Sequence, residues 1–253
     1  MASVHFGELS TRDLDEIVAG DRVAVLLQPV GAVEPHGPHA PLCTDLLIAA
    51  GHCERVAAAL ADDPEVRVLV LPTLPYGVTR YGSAFRGAVS VSEEALHAML
   101  CDALRSLARD GFCRVVLVNH HFEPEHVAAL RRVVTDIQRE GQSHVTLLDL
   151  TSRRNAERLT DEFRRGSCHA GRYETSLVLA DRADLVDEDA MRALPALDVN
   201  MPAAIAAGSE GFLPMGMKDA YCGAPAEATA AEGEETFRTL AAMLEETIRE
   251  LAC

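Results

Sequence analysis

Four short apolar runs, separated by long stretches of helical periodicity, constrain this chain more than any other feature. Val23–Pro29 (VAVLLQP), Val66–Leu71 (VRVLVL) and Arg114–Val118 (RVVLV) read as buried strands, with Val145–Leu150 a weaker fourth. Between them the patterns Asp45–Leu60, Ser92–Asp110 and Glu125–Glu140 predict helices, and two more are expected from about Ala170 to Ala180 and from about Glu232 to Leu251. Ser92 supplies an N-cap and Gly111 a stop. Apolar strands separated by whole helices imply crossover connections, and so a mostly parallel sheet covered on both faces. The fold class expected is α/β. At 253 residues the chain fits one domain, 1–253, large enough to bury a core without disulfides. The segment 195–223, rich in Gly, Pro, Met and Ala, is expected to be irregular surface or a partner-contacting excursion.

Composition narrows the function. A formal charge of −16 argues against nucleic acid and anionic membrane, which need clustered Lys and Arg. No apolar run approaches the roughly 20 residues of a membrane helix. The seven cysteines form no CxxC pair, and their odd number resists a full disulfide framework. Met1–Ser10 has neither a basic start nor an apolar run, so a cytoplasmic location is expected. No GxGxxG follows the first strand, which sets aside a dinucleotide-dependent enzyme.

Ligands of open α/β sheets bind beyond the carboxyl ends of the strands. Glu34, His36 and His39 follow the first strand, Tyr76–Arg86 the second, and Asn119–Glu123 the third. Gly, Pro and turn residues fix the backbone from Glu34 to Asp45 while Glu, His, His and Asp project from it. Carboxylate with imidazole is a ligand mixture for zinc, manganese or iron. Neighbouring side chains on an extended segment point in different directions, so at most one of His120 and His121 is expected to touch a metal. Glu123 shares the side of His121, whereas Glu125 is expected only to complement a helix dipole. A third piece, Ser167–Ser176, contributes His169 and Glu174 at a loop-to-helix junction. Cys43, inside the first stretch, is read as packing.

These stretches carry a resemblance to the creatininase (creatinine amidohydrolase) family. Its signature Glu-x-His-Gly-Pro-His-x-Pro-Leu-x-Thr-Asp stands at Glu34 to Asp45. His-Ala-Gly-x-x-Glu-Thr-Ser stands at His169 to Ser176, and Gly-x-Pro-x-x-Ala-Thr-x-x-x-Gly runs from Gly223 to Gly233. The resemblance implies a three-layer α/β/α sandwich, a hexameric homo-oligomer, and two divalent metal ions per chain, zinc or manganese, with iron also fitting. It implies Glu34, His36, Asp45, His121 and Glu123 as ligands, with Asp45 bridging. Glu174 is a further ligand or an acid beside them, and His169 and Glu123 are catalytic.

Asn119–Pro124 matches the version of the third motif that carries Glu, but His120 replaces its Gly. Tryptophan walls are implied for creatininase itself, and this chain has no Trp, which argues against creatinine. Arg86, with Arg80, is expected to read an anionic group on a small-molecule substrate, and Tyr81, Phe122 and His120 to line the pocket. The activity implied is hydrolysis of a cyclic amide, formamide or other small C–N bond by a metal-activated water, in a biosynthetic setting. A non-catalytic metal-binding scaffold and a lactone or ester hydrolase are the alternatives.

Overall fold

The computed structural model describes residues 3–253. In chain order the elements are α1 (Thr11–Val18), β1 (Val23–Val30), α2 (Thr44–Ala59), β2 (Val66–Val70), α3 (Glu93–Arg109), β3 (Arg114–Asn119), α4 (Pro124–Glu140) and β4 (His144–Leu147). There follow α5 (Arg153–Ala156), α6 (Asp161–Arg165), α7 (Arg172–Arg182), α8 (Glu188–Ala193), α9 (Met201–Ala206) and α10 (Ala230–Ala252). The strands form one wholly parallel sheet in the order β2-β1-β3-β4.

Side chains alternate across the pleat, so each central strand feeds two cores. Val25 and Leu27 pack with Ile48 and Val56 of α2, Leu177 of α7, and Phe237 and Leu240 of α10. Leu26 and Val30 face the other way, onto Leu96 and Leu100 of α3 and Leu130 and Val133 of α4, with Leu14 and Ile17 of α1 at the margin. The result is the three-layer α/β/α sandwich. The Ser92 hydroxyl caps α3 by accepting from Ala95 N–H, and Gly111 leaves that helix with φ 92°. Helix α7 starts later than its pattern suggests because Ala170, at φ 50°, lies in the left-handed region.

The segment 195–223 departs from the surface role expected of it. It carries α9 and buries Phe212, Met217, Ala220 and Cys222 in a third apolar cluster with Tyr81. Its apolar residues lack a period because they pack on a loop, which offers no regular face.

Gly233, the last residue of the third signature, is structural. A Cβ there would stand 1.9 Å from the Ser176 carbonyl oxygen, so glycine alone lets α10 lie this close to α7. Gly233→Ala is expected to destabilise the fold by about 1–3 kcal/mol through overpacking. Urea unfolding checks this, through a lower midpoint at unchanged slope.

Candidate metal centre

The order β2-β1-β3-β4 sends the chain from β1 to one neighbour and brings it back beside β1 on the other. Val30 and Asn119 are register partners at the carboxyl ends of β1 and β3, where such sheets open a crevice. The loop after β1 supplies Glu34 and His36, and the loop after β3 supplies His121. Gly31 allows the end of β1 to approach α2: a Cβ there would lie 2.8 Å from the Cβ of Asp45. Asp45, in the first turn of α2, is thereby pressed up beneath the loop, where its Oδ2 accepts from Ala32 N–H at 3.2 Å. Helix α7 brings Glu174 in from the far side, its Oε2 accepting from Ala170 N–H at 2.7 Å.

Three imidazoles are oriented by one rule. Each meets a main-chain carbonyl on one nitrogen, which therefore carries the proton, and turns the other nitrogen inward. His36 Nδ1 donates to Glu34 O (3.1 Å), His121 Nε2 to Val78 O (2.8 Å) and His169 Nε2 to Pro35 O (2.9 Å). The inward nitrogens meet carboxylates. His121 Nδ1 is 3.1 Å from both Glu34 Oε1 and Asp45 Oδ2. His36 Nε2 is 3.0 Å from Asp45 Oδ1 and 3.5 Å from Glu174 Oε2. His169 Nδ1 stands further off, 3.7 Å from Glu34 Oε1. The two oxygens of Asp45 thus face different histidines.

All of these side chains are buried, and their charges follow from one another. Burial alone would keep His36 neutral, but the carboxylates of Asp45, Glu174 and Glu34 outweigh it and push its pKa up to about 10. His121 is raised for the same reason by Glu34 and Asp45, against its burial. In return the histidines overcome burial at Glu34, held down to about 2, and at Asp45, held well below the carboxylate range. Burial wins at Glu174, raised to about 8, and at His169, lowered to about 4 with help from charged His36.

The donor chemistry fits cations. Glu34, Asp45 and His121 each offer an atom within 4.8 Å of the others, and so do His36, Asp45 and Glu174, and Glu34, His36 and His169. Ligand atoms about 2.0–2.2 Å from a tetrahedral ion stand roughly 3–3.5 Å apart, which matches the nitrogen–oxygen separations above. His36 Nε2, wholly buried, makes no hydrogen bond of proper geometry among the described residues although Asp45 Oδ1 is 3.0 Å away. Once its proton is displaced, that nitrogen would offer a cation a lone pair beside Asp45 Oδ1 and Glu174 Oε2.

The other candidates fall into two groups. Glu123 lines the adjoining cavity but joins none of these donor groups. Its carboxylate accepts from Arg80 N–H at 2.8 Å and Tyr81 N–H at 3.1 Å, and burial raises its pKa against the pull of His121. Tyr81, Phe122 and His120 line the same cavity, whose free volume is about 60 Å³. The two arginines do not line it: Arg80 pairs with Glu93 at 3.0 Å and Arg86 is exposed on the surface. The geometry therefore gives no support to an anion-reading arginine. His39 turns to Thr175 Oγ1 at 2.9 Å.

Sequence reasoning passed over several contributors. The Thr79 hydroxyl donates to Glu34 Oε2 at 2.5 Å and leaves Oε1 for the histidines. His126 Nε2 donates to Asn119 Oδ1, which also accepts from His121 N–H. Met201, Ile205 and Phe212 wall the cavity from the segment 195–223, and the ring of Phe212 lies against His169 at 4.4 Å. None of these has a local sequence signal.

Comparison with known proteins points the same way. The model of the family described as creatininase, creatinine amidohydrolase, matches residues 7–248. Creatinine amidohydrolase of Pseudomonas putida is 32% identical over 203 residues, 74% of this chain and 75% of that protein. Mycofactocin precursor peptide peptidase of Mycobacterium tuberculosis is 31% identical over 253 residues, 97% of this chain and 91% of that protein. A crystal structure of creatinine amidohydrolase superposes with a TM-score of 0.75 at 26% identity and covers 99% of both chains. Matched along nearly its whole length, this chain belongs to the creatininase family and is an amidohydrolase acting on C–N bonds.

Proposed function

We propose that this chain holds two divalent cations and hydrolyses the C–N bond of a small amide, or of the end of a short peptide, in a biosynthetic pathway. The observation that carries the proposal is the division of Asp45, whose two oxygens lie 3.0 and 3.1 Å from two different inward imidazole nitrogens. Glu34, Asp45 and His121 would hold one ion, and His36, Asp45 and Glu174 the other. Solved creatininases in Zn-Zn and Mn forms support zinc or manganese here, and carboxylate with imidazole suits both. When bound, the ions supply Lewis acidity, lowering the pKa of water and polarising the scissile carbonyl.

The chain's own groups do the rest. His169 is neutral, with its proton fixed on Nε2 by Pro35 O, so Nδ1 is free to take the proton that attacking water sheds. It then hands that proton to the departing nitrogen, which is too basic to leave as an anion. Phe212 packs on the ring and holds its plane. Glu123, aimed by the Arg80 and Tyr81 amides, is a second proton-holding group on the cavity wall. The biosynthetic setting takes support from the mycofactocin precursor peptide peptidases among the relatives. Creatinine itself is disfavoured by the absence of tryptophan, although Tyr81, Phe122 and Phe212 give the cavity aromatic walls.

Two experiments test this reading. In the metal-free protein at neutral pH, His36, His121 and Glu174 all carry protons. Zinc loading is expected to expel them, so calorimetry in buffers of different ionisation enthalpy should show release of more than one proton per chain. Zinc uptake without proton release would contradict the assignment. The zinc-loaded protein should also hydrolyse small amides or short-peptide ends faster than creatinine; turnover of creatinine alone would overturn the proposed substrate class.

A further inference from the structure

The segment from Gly77 to Tyr81 supplies none of the donor groups found among the described residues, yet it aims side chains around the centre. Val78 O accepts from His121 Nε2 at 2.8 Å, the Thr79 hydroxyl donates to Glu34 Oε2, and the Arg80 and Tyr81 amides hold Glu123. Whatever fixes this segment therefore governs where His121 Nδ1 points. On its outer edge Gly77 O accepts from Val91 N–H and Thr79 N–H donates to Ser90 Oγ, both at 3.0 Å. On its inner edge stands His126 of α4, wholly buried. Val78 N–H donates to His126 Nδ1 at 3.2 Å, and His126 Nε2 lies 3.0 Å from Asn119 Oδ1 at the end of β3.

Main-chain groups, whose roles are fixed, place the proton on this ring. An amide N–H can only donate, so His126 Nδ1 accepts. Asn119 is itself turned by the main chain of His121: its Nδ2 donates to His121 O and its Oδ1 accepts from His121 N–H. Oδ1 is thus an acceptor, and His126 Nε2 carries the proton that it receives. With both nitrogens engaged, the ring lies edge to face against His121 at 4.8 Å. Gly77 makes room for it, since a Cβ there would stand 2.6 Å from His126 Nδ1.

We propose that His126 is a positioning residue for the ion held by Glu34, Asp45 and His121. It clamps the carboxyl end of β3 to residue 78, and so keeps Val78 O where it fixes a proton on His121 Nε2 and presents Nδ1 to the cation. Without the ring, Val78 N–H is buried and unpaired, and the segment shifts to recover a partner, taking Val78 O with it. His36, Asp45 and Glu174 are held instead by Glu34 O, Ala32 N–H and Ala170 N–H, so the second ion is spared. This inference rests on the two-cation reading and adds to it a residue outside the ligand set.

The test buffers zinc with a chelator and follows the imidazole ¹⁵N resonances of His121 Nδ1 and His36 Nε2, which report the two positions separately. In His126→Leu the zinc affinity at His121 should fall about 10- to 100-fold, while His36 is metallated as in wild type. His126→Asn, whose side-chain oxygen can still accept from Val78 N–H, should lie closer to wild type than His126→Leu. Metal-free wild type should show a scalar coupling across the hydrogen bond from Val78 N–H to His126 Nδ1, with the His126 proton on Nε2; this measurement needs neither variant nor metal. Equal weakening at both positions, unchanged affinity at His121, no recovery in His126→Asn, or a proton on His126 Nδ1 would each overturn the proposal. Wild type that leaves His121 Nδ1 without metal at saturating zinc would overturn the two-cation reading as well. A metallated His121 indifferent to residue 126 would overturn this inference alone.

Discussion

Asp45→Asn is expected to leave the protein folded and to lower hydrolysis by about 1,000-fold or more. The asparagine is isosteric, and its amide oxygen can keep the hydrogen bond from Ala32 N–H. With that oxygen also kept beside His121, the amide nitrogen brings two donors to the position of Oδ1, so His36 faces an N–H group where it faced a carboxylate oxygen, and the negative charge common to both donor sets is lost. Removing a single electrostatic contact to a reacting centre costs about 100- to 1,000-fold, and here one substitution touches both ion positions. Glu34→Gln and Glu174→Gln each alter only one of the two proposed sets and should leave one ion bound. Metal analysis of the three variants after dialysis checks the pattern. If Asp45→Asn retained two ions, Asp45 would not be the shared ligand.

His169→Asn should behave differently. We expect kcat to fall by about 100- to 10,000-fold, the range of a lost proton-transfer group, while metal content and KM change little. The reasoning is geometric. His169 Nδ1 stands 3.7 Å from its nearest carboxylate oxygen, against 3.0 and 3.1 Å for His36 and His121. Its ring is gripped by Pro35 O on one side and the face of Phe212 on the other, which suits a group that must hold its aim while a proton comes and goes. His169 can nevertheless form a donor group with Glu34 and His36, so the variant has a discriminating outcome. Loss of an ion in His169→Asn would make it a ligand and vacate the role of proton carrier.

Much of this was legible in the sequence, because strands and caps are local events. The run RVVLV became the core of β3, and Ser92 and Gly111 bracket α3 within a residue of the expected ends. The ligand loops were also legible: glycines and prolines fix the backbone between Glu34 and Asp45, and a polar residue there has few directions to point. What stayed hidden depends on partners distant in the chain. Whether Glu123 or Glu174 completes a donor set turns on the amides of Arg80 and Tyr81, which take up both oxygens of Glu123. Thr79 fixes which oxygen of Glu34 faces the histidines, and nothing around Thr79 announces that role. The segment 195–223, rich in Gly, Pro, Met and Ala, reads as irregular surface or a partner-contacting excursion, yet Met201, Ile205 and Phe212 wall the cavity, because its apolar residues answer to Tyr81 rather than to a helical or strand period. Arg80 and Arg86 looked suited to an anion, but an exposed arginine near a loop finds carboxylates more readily than substrates, as Arg80 does with Glu93.

Anomalous diffraction from zinc-loaded crystals probes the centre most directly. Two peaks should flank the Asp45 carboxylate, each about 2.0–2.2 Å from a different one of its oxygens, one beside His121 Nδ1 and the other beside His36 Nε2. A single peak, or peaks that leave either of those nitrogens without a metal, would contradict the account.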